Sequence, residues 1–226
     1  MPISRYLIEN NSSNQNNIKI ALSKAYHLCK DAGLQRVSLL FPAKGTFSHS
    51  DIATFLGTQA TKALIEGQTV DLGNNVRLEF NIPKNFPIYG NHDIVLATYL
   101  TDRDMDIVDS VKNINSIVFL PWSEEEGKRW LSTWEPEIVG PSTWKILKPE
   151  LPDPIGNEIL RLGRCINMST GLSHPSDKDR AKQIFADLKK QGLKASEEAI
   201  RQFAVNNEWD PVRAQELASF AKKYVG

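Results

Sequence analysis

This 226-residue chain lacks most of the features that would name a reaction directly. It has two cysteines, Cys29 and Cys165, far apart and in no metal-ligand spacing. That excludes a disulfide framework and a cysteine zinc site, and it fits two reduced thiols in a cytoplasmic protein. Charge of one sign is also missing. The 27 basic and 27 acidic side chains cancel, so there is no net positive field to draw in a phosphate backbone. No run approaches the ~20 apolar residues that cross a bilayer, and Met1–Glu9 has no basic segment ahead of an apolar one. Neither a membrane span nor a signal peptide is therefore expected. GxGxxG, GxxxxGK[ST] and GxSxG are all absent, and no two of the four histidines share ligand spacing.

Alternation of two hydrophobic patterns is what remains. Hydrophobic residues make up 41% and charged residues 24%, enough apolar material to build a core. Arg5–Glu9 reads as an opening strand, followed by the polar run Asn10–Asn17, which is expected to be a loop. Ile18, Leu22, Ala25 and Cys29 recur at helical spacing until Gly33. Val37–Phe41, Ile94–Leu100 and Ser116–Leu120 are continuous apolar runs, as strands covered on both faces should be. A helix is expected from Asp51 to Gly67 with Ile52, Phe55, Leu56, Ala60, Ala63 and Leu64 inward. Gly73-Asn74-Asn75 marks a hairpin between Thr69–Leu72 and Val76–Ile82. A short helix carries Met105, Val108 and Val111. Ser123 to Glu126 forms a capping box ahead of a helix that buries Trp130, Leu131 and Trp134. Glu137–Val139 is the last short strand.

Strands alternating with helices imply a Rossmann-like, mainly parallel sheet with helices on both faces, spanning residues 1–144. Four prolines between Pro141 and Pro154 then exclude a continuous helix and read as a connector. Everything beyond is helical in pattern, so residues 145–226 are expected to be that connector and a small helical domain. Its last helix starts at Asp210-Pro211, with Trp209 placed to staple onto Ala214.

Ligands of open α/β sheets bind where loops leave the carboxyl ends of the strands. Three loops there carry suitable side chains. The first holds Asn11, Ser12 and Ser13. The second, running into a helix start, holds Lys44, Gly45, Thr46, Ser48 and His49; the third holds Thr101 and Asp102. Trp122 sits just past a strand, where its ring can stack on a base or other ring. The expectation is a cytoplasmic binding or interaction protein that takes a small polar or phosphorylated, nucleotide-like ligand at this edge. A protein partner is a further expectation, with the helical domain docking on the α/β domain or on that partner. A hydrolase or transferase using Lys44, His49 and the Asp102/Asp104 pair is the alternative. Asp102 and Asp104 are also explained as helix-start residues that complement the dipole.

Nucleic-acid binding by the helical domain is a lesser alternative, since residues 176–226 hold ten basic against eight acidic side chains. His27 is read as a helix residue beside the apolar stripe, His92 as part of a turn at the opposite sheet edge, and His174 as part of a polar loop. No cofactor, metal or catalytic residue is assigned by any of these features.

Overall fold

A computed structural model of the chain describes residues 3–9, 14–87, 92–140, 142–146, 148–168 and 170–226. The chain divides into two compact units, residues 1–146 and 147–226. The loop residues Asn11, Ser12 and Ser13 lie outside the described residues.

The first unit is a Rossmann-like α/β fold. Its strands are β1 (Ser4–Ile8), β2 (Arg36–Leu40), β3 (Val70–Gly73), β4 (Val76–Asn81), β5 (His92–Thr98), β6 (Ile114–Leu120) and β7 (Glu137–Val139). They form one sheet in the order β3-β4-β2-β5-β6-β1-β7. Only β3, at one edge, runs antiparallel, through the hairpin at Asn74 and Asn75. Both asparagines have positive φ, 52° and 62°, as a primed turn requires. Every other pairing is parallel, so six strands share one carboxyl edge.

Period-two alternation divides each apolar strand between two cores. Leu39 of β2, Ile94 and Leu96 of β5, and Val118 and Leu120 of β6 face one core. That core also takes Ile18, Ala21, Ala25 and Cys29 of α1 (Asn14–Asp31), Ile52 of α3 (Asp51–Leu56) and Leu64 of α4 (Thr58–Ile65). Leu40, Val95, Ala97, Ile117 and Phe119 face the other. Met105 and Val108 of α5 (Asp102–Asp109) and Trp130 and Leu131 of α6 (Glu124–Trp134) complete it. The connections after β1 and β2 thus cover one face, and those after β5 and β6 cover the other. Strands β2 and β5 are neighbours whose chains depart to opposite faces.

Three local differences from the sequence pattern have clear causes. Helix α1 begins at Asn14, four residues before its apolar stripe, because a first helical turn leaves its amides unpaired and tolerates asparagine. The expected Asp51–Gly67 helix is broken at Gly57, whose φ of 84° no helix accommodates. The break turns Phe55 outward, and Thr61 becomes buried and donates to the Ala53 carbonyl at 3.0 Å. Within the loop after β2, a single turn of helix, α2 (Lys44–Phe47), replaces the expected irregular chain.

Buried polar groups tie the elements together. Asp109 accepts from the Trp130 and Trp134 indoles at 2.8 and 2.9 Å and from Arg5 Nε at 3.1 Å. The Arg5 guanidinium lies 3.7 Å over the Trp134 ring. Burial pushes the Asp109 carboxyl upward, against the pull of Arg5 and the two indoles. Beyond β1, Glu9 accepts from the Thr143 amide at 3.1 Å and from its hydroxyl at 2.8 Å. Burial raises the Glu9 pKa, but the hydrogen bonds from Ser142 and Thr143 outweigh it and hold the carboxyl below its ordinary range. A Cβ at Gly127 of α6 would meet the Trp144 ring, so any side chain there would have to displace the indole.

The second unit is helical: α7 (Asp153–Cys165), α8 (Pro175–Lys190), α9 (Glu197–Asn206) and α10 (Pro211–Val225). Its core gathers Ile155, Ile159, Leu162, Phe185, Ile200, Leu217 and Ala218. Asp210 caps α10 by accepting from the Val212 and Arg213 amides at 3.0 and 3.2 Å. Trp209 is buried against Gly163 of α7, where a Cβ would meet its indole nitrogen at 3.1 Å. Glu197 joins α9 to α10 by accepting from Ser219 (2.6 Å) and Gln215 (2.8 Å) and pairing with Lys222 (3.1 Å).

The bond from Ser219 leads in pulling the Glu197 pKa below 4.5. A carboxyl lowered in the folded state adds stability above its unfolded pKa, and that stability is lost as pH falls through the folded value. The pair is partly exposed, so Glu197→Gln is expected to cost only about 0.5–1 kcal/mol at pH 7. The difference from wild type should shrink between pH 7 and a pH below 4.5 in urea melts followed by circular dichroism. A difference unchanged between the two pH values would show that the carboxylate's charge contributes nothing.

Candidate functional site

At the carboxyl edge, three strand ends place aromatic side chains side by side. Strand β2 runs into Phe41, whose amide still bonds Asn81 at 3.2 Å, and Pro42 then ends the ladder because it has no N–H. Strand β5 runs into Tyr99, held at φ 57° with its amide bonded to the Leu120 carbonyl at 2.8 Å. A positive φ is costly for a bulky residue and persists only where surrounding contacts enforce it. Strand β6 runs through Pro121 into Trp122, which is 56% exposed. The Tyr99 and Trp122 rings stand perpendicular with centroids 5.0 Å apart, and Phe41 meets Tyr99 edge-on at 6.1 Å.

These three rings form the apolar walls of a pocket of about 270 Å³, open to solvent. Its polar lining is Thr46, His49, Ser50, Asp51 and Glu126. Phe47 fixes the loop that supplies the first four. It is fully buried, with its ring 5.3 Å from Phe41 and 4.4 Å from Phe80. The backbone then turns through His49 N–H to Thr46 (3.2 Å) and Ser50 N–H to Phe47 (3.0 Å). Ser50 caps α3 by accepting from the Ala53 amide at 3.2 Å. Asp51 is oriented by Asn14, which donates to it at 2.7 Å from the start of α1.

Glu126 lies three residues after Ser123, whose hydroxyl caps α6. Its carboxylate bonds the Trp122 amide at 3.0 Å, one residue earlier than an ordinary capping box reaches. Burial, and then the charge of Asp51, push the Tyr99 phenol up to about 12. It is therefore a neutral hydroxyl throughout the physiological range.

Of the residues singled out from the sequence, Thr46, His49 and Trp122 line this pocket. Lys44, Gly45 and Ser48 are exposed on the same loop outside the lining. Thr101 caps α5 by accepting from the Asp104 amide at 3.3 Å and donates to the Asp104 carboxylate at 2.9 Å. Asp102 pairs with Arg129 at 3.2 Å. The Asp102/Asp104 pair is thus engaged in capping and an ion pair away from the pocket. Among the described residues no cluster of three or more His, Cys, Asp or Glu is placed to hold a metal ion.

The remaining histidines have local roles. His27 is exposed on α1, edge-on to Tyr26. His92 opens β5 at the opposite sheet edge, stacked on Phe86 and 2.8 Å from the Pro87 carbonyl. His174 caps α8 by accepting from the Ser176 amide at 3.3 Å.

Phe41, Ser50, Asp51, Tyr99 and Glu126 were not singled out by the sequence pattern. Phe41 and Tyr99 read as strand-end hydrophobics, Ser50 and Asp51 as the start of a helix, and Glu126 as a cap. Each does have that local role. The pocket is an additional consequence of where the caps and strand ends meet.

The helical unit has a larger groove of about 580 Å³ between α7 and α8, with Leu162, Ile184 and Leu188 at its base. Its rim charges are engaged. Arg161 pairs with Glu158 at 2.6 Å, Asp187 with Lys190 at 2.9 Å, and Arg180 donates to the Cys165 carbonyl at 2.9 Å. Cys165 is exposed on this side, whereas Cys29 is buried under the sheet. Burial and Asp93 raise the Cys29 thiol to about 11, so it is an inert core group.

Known families speak to this second unit. Residues 153–225 match a family model described as a domain of unknown function (DUF1889). The match covers the four helices and none of the sheet. No curated protein matches the chain. No helix among the described residues is long and apolar enough to cross a membrane.

Proposed function

We propose that this is a cytoplasmic binding protein whose α/β unit holds a small, ring-sized polar ligand at the carboxyl edge of its sheet. One observation carries the reading: the aromatic pocket opens at the switch point between β2 and β5. Connections leaving adjacent strands toward opposite faces open a crevice there, the usual ligand position in such sheets. The strained backbone of Tyr99 at the pocket is a second support, because strain concentrates at binding sites. Ligand pockets commonly run from ~300 to 1,000 Å³, so about 270 Å³ suits a single ring and not a dinucleotide.

The hydrolase or transferase reading has less to draw on. Of its proposed acid and base groups, His49 lines the pocket, while Asp102 and Asp104 are engaged elsewhere. The test is a thermal-shift panel of nucleosides, sugars, sugar phosphates and small amines on the full chain. A ligand at ~100 times its Kd adds about 2.7 kcal/mol, a rise of roughly 5–10 °C in Tm for a protein of this size. The rise should disappear in Trp122→Ala. A panel with no shift, or a shift indifferent to that substitution, defeats the reading.

A further inference from the structure

The lining of the pocket has a sign. We infer that it takes a small alkylammonium ligand, the cation seated in the Tyr99–Trp122 corner and faced by the Asp51 and Glu126 carboxylates. This rests on the pocket being a ligand site at all, and it reverses the anionic ligand that the loop composition suggests.

Lys44 is the residue that made the loop look anion-seeking, and it lies outside the lining. No lysine or arginine is among the described lining residues, whereas two carboxylates are. Both are held in place by bonds through one oxygen, Asp51 from Asn14 and Glu126 from the Trp122 amide. These partners carry no charge, so what offsets the two carboxylates is the partial positive charge of the helix starts on which Asp51 and Glu126 sit. A phosphate entering here would meet two negative groups.

The aromatic geometry points the same way. A ring face is the negative part of its quadrupole and attracts cations, most strongly for tryptophan. Perpendicular rings 5.0 Å apart make a corner in which one small guest touches two aromatic surfaces. Phe41 extends that apolar wall, and Thr46 and Ser50 line the same pocket with their hydroxyls bonded to the Ala43 and Phe47 carbonyls.

The test titrates the full chain, by calorimetry and tryptophan fluorescence, with three probes. They are choline, its neutral carbon analogue 3,3-dimethylbutan-1-ol, and adenosine monophosphate. Choline should bind about tenfold or more tightly than the neutral analogue, which shares its shape and lacks only the charge. Asp51→Asn and Glu126→Gln preserve the local hydrogen bonds and should each weaken choline severalfold. Trp122→Ala, at an exposed position and with its fold checked by circular dichroism, should abolish binding.

Equal affinity for choline and the neutral analogue overturns the inference, as does choline binding that ignores all three substitutions. Binding of adenosine monophosphate alone, lost in Trp122→Ala, leaves the pocket a ligand site and reverses the sign assigned here. Silence from all three probes overturns the inference; silence across the wider panel as well removes the ligand-site reading beneath it.

Discussion

Asp109→Ala is expected to destabilise the α/β unit by about 3–5 kcal/mol, a large share of the ~5–15 kcal/mol that holds a typical domain folded. The carboxylate is almost fully buried, with side-chain exposure of 1%, and Arg5 beside it is at 13%. Truncation leaves the Arg5 charge and two indole N–H groups without their acceptor in a place water barely reaches. The penalty for an uncompensated buried charge exceeds the net worth of the pair. Asp109→Asn should cost less, because a carbonyl at the Oδ2 position still accepts both indole bonds, but its NH2 then faces Arg5 and strands that charge. Urea unfolding followed through tryptophan emission measures both. A loss under 1 kcal/mol for Asp109→Ala would mean that solvent reaches the cluster.

Phe47→Ala should be comparably severe, at about 3–5 kcal/mol, and unlike Asp109→Ala it should also remove ligand binding. The side chain is fully buried and packs between Phe41 and Phe80, so its loss opens a cavity beneath α2. Thr46 and His49 flank Phe47 on the loop it anchors, so both pocket residues lose the packed ring beneath them. Phe47→Leu refills most of the volume and should recover most of the stability. Denaturation midpoints together with ligand-induced shifts in Tm separate the two effects. Binding retained in a folded Phe47→Ala protein would show that the loop holds its place through Ser50 and Asp51 alone.

The layered fold was legible because local pattern and global packing agree in it. Val37–Phe41, Ile94–Leu100 and Ser116–Leu120 are apolar throughout, which only strands covered on both faces tolerate. Gly73-Asn74-Asn75 needs positive φ, and Asp210-Pro211 is a helix start by the chemistry of its own side chains. The break at Gly57 escapes the sequence pattern for a physical reason. A 3-4 stripe continues across it, and nothing in the stripe records the backbone angle that breaks it.

For the site, the sequence by itself determined the edge of the sheet and three of its lining residues, Thr46, His49 and Trp122. Strand direction and loop content follow from local order along the chain, so this much could be read in advance. Only the tertiary structure decided the rest. Strand order brought β2, β5 and β6 side by side, although their ends lie tens of residues apart in sequence. That put Phe41, Tyr99 and Trp122 in one corner, turned the caps Asp51 and Glu126 into pocket walls, and engaged Asp102 with Arg129 instead. A pocket's charge is a sum over groups distant in sequence, so no single loop carries it, and the lysine that dominates one loop can lie outside the cavity that loop helps to line.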